Sequence, residues 1–178
     1  AMSCLPPLDD ELEDGCYSNG YYVKGLLAPW HPTDDERVQK SLEALALQPA
    51  DLLLELGCGD GKICHAAAEK FGCRAIGVEL DEKMVECARE RLSELPDRCK
   101  ELVEIRHGDI LDMELTETPT CVTMYLMPDH YAKLEAMLER FIAQGMKVVV
   151  YAWSLKGEHW KSRLVDEGNG WWLYTAAC

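Results

Sequence analysis

Between Leu52 and Lys62 the chain reads Leu-Leu-Leu-Glu-Leu-Gly-Cys-Gly-Asp-Gly-Lys, and its capacity for chemistry is concentrated there. An apolar run that stops at a break reads as a strand buried on both faces. Gly57, Gly59 and Gly61 then turn the backbone, and a helix is expected from Lys62 to Phe71. Glycine stands where the main chain takes positive φ or where a ligand must come close. Such a turn, set between a strand and a helix N-terminus, can seat a nucleotide or a charged small molecule. Its spacing, G-x-G-x-G, departs from the dinucleotide fingerprint G-x-G-x-x-G/A, and Lys62 stands where the last small residue would be. Glu55, two residues before the first glycine, points into the same turn. The plainer alternative is a tight turn that holds nothing; three alternating glycines with an acidic neighbour argue against it.

A second carboxylate follows at the expected distance. Ala75 to Val78 read as another buried strand, and Glu79 falls at its end, 18 residues beyond Gly61. There it can accept hydrogen bonds from both hydroxyls of a ribose; taken alone it could equally be a solvated strand end. Asp81 reads as the N-cap of a helix that runs to about Leu95, buries Met84, Val85, Ala88, Leu92 and Leu95, and stops at Pro96. Leu102 to His107 alternate as a third strand and lead into Gly108-Asp109-Ile110, in isolation an ordinary turn. Cys121 to Met127 form the fourth strand, closed by Pro128. Its end adjoins the first strand, at the switch point where doubly wound sheets take their ligands. Tyr125, Leu126, Met127, Pro128 and Asp129 therefore face the site. Asp129 serves equally well as the N-cap of the next helix, whose stripe is Tyr131, Leu134, Met137, Leu138, Phe141 and Ile142.

These strands need a frame. Residues 1–20 are acidic and aperiodic and read as a flexible tail; residues 21–178 read as one domain. Tyr17, Tyr21, Tyr22, Leu26, Leu27 and Trp30 bring apolar bulk that packs over that domain. Thr33-Asp34-Asp35-Glu36 fits a capping box with Thr33 as N-cap, opening a helix with Val38, Leu42 and Leu45 on one face. A role for Thr33 against the ligand is the second reading. Lys147 to Trp153 give a fifth strand, and a hairpin closes the chain: a strand near Trp160 to Val165, a turn at Asp166 to Gly170, then Trp171 to Tyr174.

The formal charge is −14, and no basic cluster occurs. That weighs against DNA or long RNA as a partner and leaves room for a cationic one. No apolar run reaches the roughly 18 residues of a membrane span. The acidic start is no secretory or transit signal, although Ala1 ahead of Met2 reads as a tag scar and leaves an upstream segment open. Nine scattered cysteines without a C-x-x-C pair offer no metal site and read as the reduced thiols of an intracellular, cytoplasmic protein.

The pattern E-x-G-x-G-x-G resembles the first motif of class I methyltransferases, which bind S-adenosyl-L-methionine (SAM). Glu79, Asp109 and the Tyr125-to-Asp129 strand end extend that resemblance over about residues 30–178. The order Pro-x-x-Pro-Thr, L-x-L-G-x-G-D-G-K, G-V-E-L-D and V-T-M-Y-L-M-P is similar to small stand-alone protein-lysine methyltransferases. These include archaeal broad-specificity enzymes and the eukaryotic enzymes acting on mitochondrial carriers and the ATP synthase c-subunit. The resemblance implies an α/β, Rossmann-like, mostly parallel sheet of order 3-2-1-4-5-7-6 with strand 7 antiparallel. It implies SAM as cofactor, S-adenosyl-L-homocysteine as product, and a site lined by Glu55, Gly57, Cys58, Gly59, Gly61, Glu79, Leu80, Asp109, Ile110 and Tyr125. Asp109 would accept from the adenine amine, with Leu80 and Ile110 against the ring. Tyr125 and Asp129 would stand at the transferred methyl, with Tyr22, Trp30 and Thr33 on the acceptor side. Three departures matter. Trp30-His31 replaces an expected tyrosine and small apolar residue, the tail lacks the hydrophobic segment of the mitochondrial members, and no N/D-P-P-Y/F follows strand 4. The expected activity is methyl transfer to an amine, foremost a protein lysine. The alternatives are a small-molecule acceptor or a non-catalytic SAM-fold module; an NAD enzyme is disfavoured by the glycine spacing.

Overall fold

The computed structural model describes residues 33–176. In chain order these form α1 (Asp35–Leu45), β1 (Leu52–Leu56), α2 (Lys62–Phe71), β2 (Arg74–Glu79), α3 (Glu82–Glu94), the short α4 (Asp97–Lys100), β3 (Val103–His107) and β4 (Cys121–Met124). A single 3-10 turn (Pro128–His130) leads into α5 (Tyr131–Ala143), β5 (Lys147–Tyr151), α6 (Glu158–Lys161), β6 (Leu164–Gly168) and β7 (Trp171–Tyr174). The seven strands lie in the order β3-β2-β1-β4-β5-β7-β6, as expected, with β7 antiparallel to both its neighbours.

Every residue of β1 is buried, because helices cover both faces of the sheet. Alternation along the strand sends Leu53 towards a core shared with α1, α2 and α3. Leu52, Leu54 and Leu56 go to the opposite core, where α5 supplies Leu134, Leu138, Phe141 and Ile142. The α2 boundaries are those the sequence predicts, and Asp81 caps α3 by accepting from the Lys83 N–H at 3.0 Å.

Several local expectations are corrected. The N-cap of α1 is Asp34, whose Oδ1 accepts from the Arg37 N–H at 3.1 Å. A carboxylate caps as well as a hydroxyl and also complements the helix dipole. Thr33 is buried instead, and its carbonyl accepts from Lys62 Nζ. The strand β4 ends at Met124 rather than Met127. The 3-10 turn that begins at Pro128 puts His130, not Asp129, at the cap position of α5. Trp160 lies in α6 and not in a strand, because its indole is buried edge-on against Tyr174 at 5.9 Å. The final hairpin therefore turns on Asn169-Gly170 alone, with Gly170 at φ 77°. Cys58, Cys64, Cys73, Cys99 and Cys121 are free and buried. No helix among the described residues is long and apolar enough to cross a membrane. The expected tail, Tyr22 and Trp30 lie outside the described residues.

Candidate functional site: the glycine turn and the ends of the parallel strands

The chain leaves β1 through Gly57, Gly59 and Gly61, at φ 74°, 52° and 75°. A side chain at any of them would be strained. The Gly57 and Cys58 N–H groups both donate to the Val78 carbonyl (2.9 and 3.0 Å), and the Gly61 N–H to that of Cys58 (2.8 Å). The Gly59 N–H points across to the end of β2 and donates to Glu79 Oε2 at 2.8 Å. The other oxygen, Oε1, accepts from the Leu80 and Asp81 N–H groups at 2.8 and 2.9 Å. Burial pushes the Glu79 carboxyl up from its ordinary pKa, and the three amides oppose that rise. Leu80 beside it stays 38 % exposed. A carboxylate at the rim of a bare backbone turn, with an apolar side chain next to it, fits a ribose carrying a flat base. Ile110 is buried, and Asp109 accepts from the Leu111 N–H at 2.8 Å, which shapes the loop after β3.

Beneath the turn the environment is dry. Glu55 is buried, with Oε2 accepting from the Cys64 N–H (3.2 Å) and thiol (3.1 Å), so it braces the first turn of α2 from below. Loss of water pushes its pKa up to about 8, so it stands as the neutral acid at pH 7. Cys58 is buried and packs on Gly77 of β2, where a Cβ would come within 2.7 Å of the Cys58 sulfur and 3.1 Å of the Cys64 sulfur. Asp60 pairs with Arg91 of α3, and Lys62 Nζ with Asp35 at 2.6 Å, which ties the turn to the neighbouring helices.

The end of β4 folds over the same turn. Leu126 packs on Gly57, where a Cβ would sit 2.9 Å from its Cδ2. This brings Tyr125 to the mouth of the site. Its ring lies 6.2 Å from both Tyr151 and Trp153. Those two residues at the end of β5 were not singled out from sequence, although β5 neighbours β4 in the expected strand order. Ala152 between them takes φ 65°, rare for a residue with a side chain, and swings Trp153 back towards Tyr125. The Tyr131 hydroxyl donates to the Trp153 carbonyl at 3.1 Å, and the Tyr151 and Ser41 hydroxyls lie 2.5 Å apart. Asp129 is exposed on the 3-10 turn. Hydrogen bonds thus join the turn of Gly57, Cys58, Gly59 and Gly61 to Glu79 and the end of β2, with Leu80 next to Glu79, Glu55 behind the turn and Tyr125 following from Leu126, its neighbour packed on Gly57.

A doubly wound sheet of this order, with a glycine turn after β1 met by a carboxylate from β2, is that of a class I SAM-dependent methyltransferase, and SAM is its cofactor. Residues 55–162 match the family described as ANTKMT methyltransferase domain, and the chain belongs to that family. A protein-lysine N-methyltransferase of Saccharolobus islandicus (strain REY15A) is 30% identical over 144 residues, which are 79% of this chain and 87% of that protein. A crystal structure titled as an RNA methyltransferase from Salinibacter ruber with S-adenosyl-L-homocysteine is similar, with a TM-score of 0.70 and 33% identity over 82% of this chain and 93% of that one. Ribosomal RNA small subunit methyltransferase A of Thermotoga petrophila is 34% identical over 105 residues, 58% of this chain but 38% of that longer protein.

Proposed function

We propose that this chain transfers the methyl group of SAM to an amine, the side chain of a lysine in a protein. The observation that carries the reading is the aromatic pair of Tyr125 and Trp153 at the strand ends beside the glycine turn, backed by the buried ring of Tyr151. Aromatic faces attract a cationic ammonium, and an apolar entrance lowers its pKa by stripping water from it. The proton must be lost before transfer, which from a pKa near 10.4 costs about 4–5 kcal/mol at pH 7. Bound SAM supplies a methyl activated by a sulfonium, so the residues of this chain are left to align the acceptor and exclude water. In this reading Glu79 accepts from the ribose, and Leu80, Asp109 and Ile110 receive the adenine. Gly57, Cys58, Gly59 and Gly61 present bare backbone, held from behind by Glu55. Tyr125 orients the amine, with Asp129 the candidate base and Tyr22, Trp30 and Thr33 on the acceptor side. The lysine assignment of the Saccharolobus relative points the same way.

The name of the Salinibacter structure favours RNA instead. Against that reading stand the charge of −14 and the sequence Tyr-Leu-Met-Pro where amino-methylating nucleic-acid enzymes carry N/D-P-P-Y/F. The test is tritiated SAM added with the protein to a cell extract, followed by nuclease or protease. Label removed by protease and recovered as methyl-lysine is the expected result. Label removed by nuclease would overturn the lysine reading and leave the methyltransferase standing.

A further inference from the structure

At Ala152 the chain leaves β5 through a strained turn. The Trp153 N–H donates to the Tyr151 carbonyl, two residues back, at 2.8 Å, and Ala152 between them takes φ 65°. Together these define a γ-turn of the rarer hand, which residues with a side chain adopt only where their surroundings hold it. The holding contacts come from separate elements. The Ala152 N–H donates to the Gly170 carbonyl of the β6–β7 turn at 2.9 Å. Below it the Tyr151 hydroxyl lies 2.5 Å from that of Ser41 in α1. From the other side of the sheet, Tyr131 at the start of α5 packs on the core that α5 covers, and its hydroxyl donates to the Trp153 carbonyl at 3.1 Å. Burial pushes the Tyr131 hydroxyl up in pKa, so it stays protonated and able to donate. The outcome is a defined ring orientation, with Trp153 6.2 Å from Tyr125 and tilted 52° to it, both rings half-buried. Tyr125 and Tyr131 flank the 3-10 turn, so a circuit closes from the end of β4 through Tyr131 and Trp153 back to Tyr125.

We propose that Tyr131 is a positioning residue for the methyl acceptor: by holding the Trp153 carbonyl across the strained turn, its hydroxyl fixes the Trp153 ring against Tyr125, and the pair so fixed receives the amine. The inference rests on the amine-acceptor reading. A single aromatic face attracts an ammonium over a wide range of approaches, and two rings locked at an angle narrow that range. Fixing the tryptophan beforehand also spares the cost of ordering it when the acceptor arrives. Tyr131 acts here only through Trp153, which separates its role from that of a residue touching the reacting atoms.

The experiment uses Tyr131→Phe in the full chain, which removes the hydroxyl and keeps the ring. Trp153 is followed by fluorine NMR of fluorotryptophan-labelled protein, its signal among those of the five tryptophans identified by its loss in Trp153→Phe. SAM affinity is read by calorimetry, and kcat and acceptor KM with the most heavily labelled protein purified from the extract described above. In Tyr131→Phe the Trp153 signal moves or broadens, and SAM affinity stays within about twofold. The acceptor KM rises about 3- to 10-fold, the worth of one neutral hydrogen bond, and kcat changes less. Trp153→Phe raises KM as well. Adding Tyr131→Phe to it raises KM no further, because residues that act as one unit are not additive. An unmoved Trp153 signal, an unchanged KM, additive effects, or SAM affinity lost in step with KM would each overturn the proposal. A parent that labels no protein lysine overturns the reading on which the proposal rests, and the proposal with it. A parent that labels lysine, with KM unmoved in Tyr131→Phe, overturns the proposal alone. If Tyr131→Phe does not fold, Ala152→Val, whose branched side chain opposes the positive φ, is read in the same way.

Discussion

Glu55 and Glu79 sit on adjacent strands at the same turn and are held for opposite purposes. Glu79 is met by three backbone N–H groups that favour its carboxylate, the form that accepts from a ribose. Glu79→Ala should weaken SAM binding about 10- to 100-fold, the worth of hydrogen bonds to a charged group; calorimetry showing unchanged affinity would remove Glu79 from the ribose. Glu55 is held as an acid with a pKa of about 8, against an ordinary 4.5. A raised native pKa stabilises the fold fully below about pH 4.5, and that contribution is lost as pH rises towards 8. His65 works the other way. Burial without a partner for Nε2 among the described residues lowers its pKa from 6.5 to about 4, so its contribution is present above 6.5 and lost as pH falls to 4. The two oppose each other in mild acid, and above pH 6.5, as far as about 8, the His65 contribution is constant while that of Glu55 is still being lost. Urea unfolding should therefore show stability falling over that interval by up to about 1.4 kcal/mol per pH unit. In Glu55→Gln that decline should disappear; an identical slope would show Glu55 to be ionised in the fold.

At the level of elements, the glycine turn depends on what β2 leaves out. Gly77 has ordinary strand geometry, so backbone freedom is not its reason for being glycine. The Cys58 and Cys64 sulfurs occupy the space where its side chain would be. Gly77→Ala should push Cys58, and the turn with it, off β2. We expect a loss of about 1–3 kcal/mol of stability, typical of overpacking, together with weakened SAM affinity. Adding Cys58→Gly should restore part of both. Thermal melts and calorimetry on the single and double variants check this, and a fully stable Gly77→Ala protein would refute the packing argument. The edge of the sheet depends in the same way on α1. Through Arg37 and Ser41 this helix holds the end of β5 together with the final hairpin.

For the molecule as a whole, the excess of 32 acidic over 18 basic residues sets how it meets a partner. A negative surface speeds encounter with a cationic protein and is screened by salt, whereas SAM, if held at the buried glycine turn as proposed, is screened far less. Raising the salt concentration from about 0.05 to 0.5 M should therefore raise the KM for a protein acceptor several-fold and leave SAM affinity almost unchanged. A KM that does not move with salt would show that acceptor docking is not electrostatic.

The limits of α2 and the meeting of the glycine turn with Glu79 were legible in the chain because they follow from short-range rules, whereas the strand order came from the family resemblance. Apolar runs make buried strands, and alternating glycines mark a positive-φ turn. What could not be read locally are features fixed by contacts across long sequence separations. Asp34 rather than Thr33 caps α1, and Thr33 instead receives Lys62. Trp160 leaves the strand pattern for α6 because Tyr174 offers it a buried edge. Tyr151 and Trp153 join Tyr125 only when β5 lies beside β4 and Ala152 turns left-handed. Likewise Arg37, an unremarkable helix residue in the sequence, meets Asn169 132 positions away. Periodicity and spacing carry the strands, the helices and the glycine turn; the aromatic cluster beside them is assembled by side chains whose neighbours exist only once the sheet is closed.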